Sequence, residues 1–164
     1  MIFNSKLLVF WEWDKLEIKF ESSFNLLVSK DIEIFENSYG IILSDDYKEF
    51  LLRNNGGKPV KRRFKTSDGT VTSSIMLFLP LTKDTDLNLE RFYQKYCINK
   101  IVPSNLIPIG IDPAESLICL TLGKQDQVYF CDMDYFEEDN ELKDEYIKLI
   151  SEDFTTFLSN LYNG

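Results

Sequence analysis

Two stretches of this chain carry the residue types that chemistry needs. "FLLRNNGGKPVKRRF", from Phe50 to Phe64, sets a glycine pair beside Lys58, Lys61, Arg62 and Arg63, with Lys65 just beyond. Glycines next to basic side chains could cradle a phosphate on backbone N–H groups. "CDMDYFEEDNELKDE" concentrates Asp132, Asp134, Glu137, Glu138, Asp139 and Glu141. Such a cluster could bind a hard cation or supply paired carboxylates for acid–base work.

Neither chemistry fits the spacing. A phosphate loop follows a strand, ends in Gly-Lys-Ser/Thr and opens a helix. Here the glycines follow a helical pattern and lead into Pro59 and a strand, so they read as a helix stop. The basic residues after them read as a solvated strand face that discourages edge pairing, or as a partner contact. A calcium loop needs ligands at regular offsets around a central glycine, which the acidic run lacks. Nothing selects one carboxylate pair for glycosidase-like work. What remains is an acidic loop, or a patch that meets a basic partner. Tyr129, Tyr135 and Phe136 beside the acids favour the patch, because aromatic residues are enriched at interfaces.

Composition narrows the classes further. The 164 residues contain no histidine, which removes the usual general base near neutral pH, the commonest zinc ligand and any Ser-His-Asp triad. The formal charge of −9 disfavours a general nucleic-acid binder, whose footprint is basic. It suits a basic protein partner, since opposite fields raise association rates. A chain of this length buries roughly 70% of its extended surface and supports a core without staples. Cys97, Cys119 and Cys131 form no CxxC pair, and the latter two sit in apolar runs where buried thiols are ordinary. An odd cysteine count without a signal peptide or membrane-spanning run predicts a reduced, cytoplasmic setting.

The elements that must position these residues follow from periodicity. "LEIKFE" alternates Leu16, Ile18 and Phe20 with charges and predicts a strand, with "LVFWEW" before it as a hairpin partner or a short helix. Trp11 and Trp13 read as packing residues. "SKDIEIFENSYG" predicts a helix capped by Ser29 and ended by Gly40, with Ile32, Phe35 and Tyr39 inward. A second helix has Ser44 as its cap, Asp45 and Asp46 in its first turn and a stripe of Tyr47, Phe50 and Leu51. Asn55, Gly56 and Gly57 are expected to supply left-handed backbone after it.

Two strands then flank the turn at Gly69, with Val60, Arg62 and Phe64 on one face and Val71, Ser73, Ile75, Leu77 and Leu79 on one face of the return. A helix over "DLNLERFYQKYC" turns Leu89, Phe92, Tyr93 and Tyr96 inward. "SLICLTL" and "QVYFCDMD" predict an antiparallel pair joined through residues 123–126. A closing helix is expected from about Asp144 through "DFTTFLSNL", with Phe154, Phe157, Leu158 and Leu161 as its stripe. The class is α+β, in one domain over residues 1–164.

Three of these segments together resemble the SUKH superfamily, which includes fungal cell-wall regulators of the Smi/Knr type and bacterial immunity proteins. "IEIFENSYGIILSDDYKEFLLRNNGG" is similar to its opening block, a helix with a central Glu and a Tyr-Lys-x-Phe-Leu helix ending in Asn-Gly-Gly. "IVPSNLIPIGIDPAESLICLTLGKQDQVYFCDMD" resembles its middle block, and "ISEDFTTFLSNL" its closing helix. Ser44 replaces the family's usual proline, and residues 113–116 replace a turn that usually carries glycine and asparagine. Residues 1–28 have no clear counterpart.

The resemblance implies a mixed or antiparallel sheet with helices packed against it, and a binding function without catalysis. Bacterial members commonly neutralise a polymorphic toxin, often a nuclease, so the implied partner is the C-terminal domain of a cognate toxin. The alternative is a regulatory or scaffold module on a housekeeping partner. Asp112, Glu115, Asp132, Asp134, Glu137 and Glu138 are the candidate contact residues. Asn55, Gly56 and Gly57 read as architectural. No catalytic residue, metal, cofactor, nucleic acid or membrane is expected.

Overall fold

The computed structural model describes Leu16 and residues 18–164, apart from the side chain of Glu137. Trp11, Trp13 and the expected hairpin partner "LVFWEW" lie outside the described residues.

The strand expected at Leu16–Phe20 is shorter and later. Strand β1 is Phe20–Ser22 and pairs antiparallel with β2, Lys58–Pro59. Helix α1 runs Ser29–Tyr39 and buries Ile32 and Phe35. Its N-cap is Val28 rather than Ser29, because the Asp31 carboxylate reaches back to accept the Val28 N–H at 2.9 Å. Gly40 ends the helix in left-handed conformation, as its sequence position predicts. Helix α2, Asp45–Arg53, is capped by Ser44, whose Oγ accepts the Tyr47 N–H at 3.2 Å. Serine thus supplies the N-cap that its sequence position predicts. Glu36 locks the two helices together by accepting the Leu43 N–H at 2.9 Å.

Strands β3, Arg63–Lys65, and β4, Thr72–Ser74, form the expected hairpin around Gly69. The predicted long return strand breaks at Ile75 and Met76. Met76 donates to Ile111, and β5, Leu77–Phe78, joins the main sheet. Alternation fails there because the chain leaves one sheet for another.

The main sheet is antiparallel throughout, in the order β5-β6-β7-β8-β9. It comprises β6 (Leu106–Ile111), β7 (Leu117–Thr121), β8 (Val128–Cys131) and β9 (Ile147–Ser151) beside β5. Strand β9 is a correction. The expected closing helix begins only at Phe154; Asp144–Tyr146 is a single 3-10 turn and the next five residues pair with β8. Lys148 inside that strand reaches Asp68 and Thr70 at the tip of the β3–β4 hairpin.

Both sheet faces are covered, which explains why every residue of β7 is buried. Ile118, Leu120, Val128 and Phe130 pack against α1, α2, the β3–β4 ribbon and the last helix, α5 (Phe154–Ser159). Phe50, Phe78 and Phe154 meet there with ring centroids 5.0 and 5.2 Å from Phe50. On the opposite face Leu117, Cys119 and Cys131 pack with Tyr96 and Val102. Helix α3 covers this side as Leu89–Phe92, then widens into a π-helical turn over Tyr93–Ile98. A short helix α4, Phe136–Asp139, precedes β9. The result is an α+β fold with an antiparallel sheet between helices.

Candidate functional site

The Asn-Gly-Gly junction is structural. Asn55 is buried, and its amide donates to the carbonyls of Asn25 at 2.9 Å and Leu81 at 3.1 Å, while its Oδ1 accepts the Leu81 N–H at 2.8 Å. Its backbone is not left-handed, against expectation; the positive φ angles fall on Gly56 and Gly57. The N–H of Gly56 donates to Asn54 and that of Gly57 to Phe78. Both donors that a phosphate would need are therefore consumed inside the protein. Of the basic residues that follow, Lys58 and Arg62 pair with Glu21 at 3.5 and 3.1 Å. Lys61, Arg63 and Lys65 are exposed.

The acidic candidates gather at one end of the main sheet. Ile111, Leu117, Cys131 and Ile147 are successive register partners across β6 to β9, so the β6–β7 turn, the chain leaving β8 and the chain entering β9 lie side by side. The Ser116 hydroxyl accepts the Met133 N–H at 3.0 Å and ties the first two together. Glu115, Asp134 and Glu138 are exposed there, and Asp132 is half-buried with its Oδ1 on the Asp134 N–H. Tyr135 stacks on Tyr146 with centroids 5.2 Å apart. Beside them Asp139 pairs with Lys143 at 3.3 Å, which raises the lysine's pKa. The backbone of Glu137 lies in α4; its side chain is outside the described residues.

Asp112 differs from the rest. It is 5% exposed, and its carboxylate accepts the N–H groups of Ala114 and Ser116 and the hydroxyl of Ser73, at 3.0, 2.8 and 2.8 Å. It shapes the turn rather than presenting charge. That clamp holds Glu115 at φ +66, a conformation that glycine adopts freely and other residues rarely. Side-chain-to-backbone bonding of this kind is the ordinary behaviour of Asp at the head of a turn.

A groove of about 630 Å³ opens beside this turn. The π-helical turn forms one wall, and Ile111 and Glu115 the other. Sequence reasoning missed it, because the widening of the helix over Tyr93–Ile98 has no local sequence signal; the helix then closes at left-handed Lys100, φ +58, with the Ile101 N–H returning to the Tyr96 carbonyl. Burial disfavours the thiolate at Cys97 and Cys119. Burial pushes the Cys97 thiol up to about 12, and burial with the Cys131 contact pushes Cys119 well up too.

Among the described residues no group of three or more His, Cys, Asp or Glu could hold a metal ion. Among them, too, no helix is long and apolar enough to cross a membrane. Residues 27–160 match the SMI1 / KNR4 family (SUKH-1), and the chain belongs to that family. The family covers toxin-immunity proteins and Smi1/Knr4 regulators. No curated protein matches the chain.

Proposed function

We propose that this chain is a non-enzymatic immunity protein that binds the C-terminal domain of a cognate toxin and occludes its active groove. The observation that carries the reading is the gathering of Glu115, Asp132, Asp134 and Glu138 at one end of the sheet, on a chain of net charge −9. Asp112 supports that face from beneath, and Glu137 belongs to it by sequence. A nuclease is the toxin this face fits best. A nuclease groove is basic to receive phosphates, and ordered carboxylates compete for the same cations. The mechanism is steric and electrostatic and requires no bond making.

Affinity capture with the intact chain, followed by mass spectrometry at stepped salt, tests this. The reading expects one large protein whose C-terminal domain kills cells lacking this chain, released as salt rises. Recovery of intracellular housekeeping proteins alone would favour the regulatory branch of the family.

A further inference from the structure

We infer that a second groove, between the connection after β2 and the end of α5, is the seat of this chain's own N-terminal segment, with Trp11 and Trp13 as the side chains that enter it. The inference goes beyond the immunity reading and does not depend on it. The groove has a volume of about 420 Å³, within the roughly 300–1,000 Å³ of known ligand pockets. Leu16, Ile18 and Lys19 line it ahead of β1, Val60 and Lys61 after β2, and Leu158, Ser159 and Leu161 along α5 and just past it. Leu158 and Leu161 belong to the main core, and Leu16 and Ile18 pack against that core. Val60 is 40% exposed. The main core therefore reaches the surface at this groove.

Chain continuity selects the occupant. Leu16 lines the groove and directly follows the segment of residues 1–15. The Val60 N–H donates to the Lys19 carbonyl at 2.9 Å, which fixes the chain at the groove's edge. Trp13 is three residues from Leu16, a reach of about 10 Å in extended chain. A segment tethered so closely acts at high effective concentration, so modest contacts hold it. It also has apolar surface to bury, in the run "LLVFWEW" from Leu7 to Trp13. Charge agrees with this choice. The charged residues lining the groove are Lys19 and Lys61, both exposed and neither in an ion pair among the described residues. Glu12 and Asp14 flank Trp13, and residues 11–14 contain no base. Leu16, Ile18 and Lys19 precede the stretch that matches the family, so this chain brings part of the groove along with its occupant.

Trp11 and Trp13 are the chain's only tryptophans, so tryptophan fluorescence of the full chain reads this segment alone. Acrylamide should quench it several-fold less than in the same chain unfolded in urea, with blue-shifted emission. Val60→Glu and Ser159→Glu, both at exposed positions, place an acid where Glu12 and Asp14 must approach. Each should lose most of the protection while far-UV circular dichroism stays unchanged. Lys95→Glu, on the helix that covers the opposite sheet face, should keep it. Quenching equal to that of the unfolded chain, or protection that survives both groove variants, would overturn the inference. So would protection that falls on dilution, since the segment would then sit in a second copy, or protection that arises only with a bound partner.

Discussion

The Asp112 carboxylate accepts the Ser116 N–H at 2.8 Å, and the Ser116 hydroxyl in turn accepts the Met133 N–H at 3.0 Å. One buried acid thereby fixes two loops of the acidic face relative to each other. Asp112→Ala strands the N–H groups of Ala114 and Ser116 and the Ser73 hydroxyl. It should cost about 2–4 kcal/mol in urea unfolding. Asp112→Asn keeps an acceptor oxygen and should cost less. Equal losses for the two variants would contradict the clamp.

Glu115 trades stability for placement. A non-glycine residue in left-handed backbone carries a cost of about 1 kcal/mol or more. Glu115→Gly should therefore leave stability unchanged or raise it by up to about 1 kcal/mol, while weakening partner binding. A stability loss above that scale would mean that the side chain is held by contacts rather than aimed outward.

Gly56 separates two reasons for needing glycine. A Cβ there would lie 2.6 Å from the Phe78 carbonyl oxygen and 2.7 Å from the Pro80 nitrogen, whereas at Gly40 nothing lies within 4 Å. Both have positive φ, +69 and +63. Gly40→Ala should cost about 1 kcal/mol, the conformational price alone. Gly56→Ala adds a backbone clash and should cost clearly more, about 2–4 kcal/mol. Thermal melts of the pair decide it.

Acid should loosen two tethers. The Thr70 N–H, then the hydroxyls of Thr70 and Thr66, hold the Asp68 carboxyl well below the usual carboxylate range. For Asp153, the α5 N-cap, burial raises the carboxyl, but bonds from Thr156 and Thr155 outweigh it and lower the pKa. A lowered folded pKa gives stability that is full above the unfolded value of about 3.9 and is lost as pH falls below it. The stability gap between wild type and the Asp68→Asn/Asp153→Asn double variant should shrink as pH drops from 6 towards 2. A constant gap would contradict the assignment.

Sequence alone revealed the elements whose signals are local. The Ser44 cap, the Tyr47-Phe50-Leu51 stripe and the turn at Gly69 each depend on residues within a few positions. It failed where distant residues decide. Residues 147–151 form a strand because β8 offers an edge and Lys148 finds Asp68, 80 positions away. Asp112 reads as one more surface acid until Ser73 is seen 2.8 Å from it. The groove was invisible because the π turn and the β6–β7 turn meet only in the folded chain. The acids around it were legible as a cluster, though not as one end of a sheet.

The central claim is that the acidic sheet end neutralises a toxin. Its most direct test is growth of cells expressing the captured toxin domain together with either the intact chain or an Asp132→Lys/Asp134→Lys/Glu138→Lys variant of equal thermal stability. The account predicts that the intact chain restores growth and the charge-reversed chain does not. Equal rescue by both, or none by the intact chain, would contradict it.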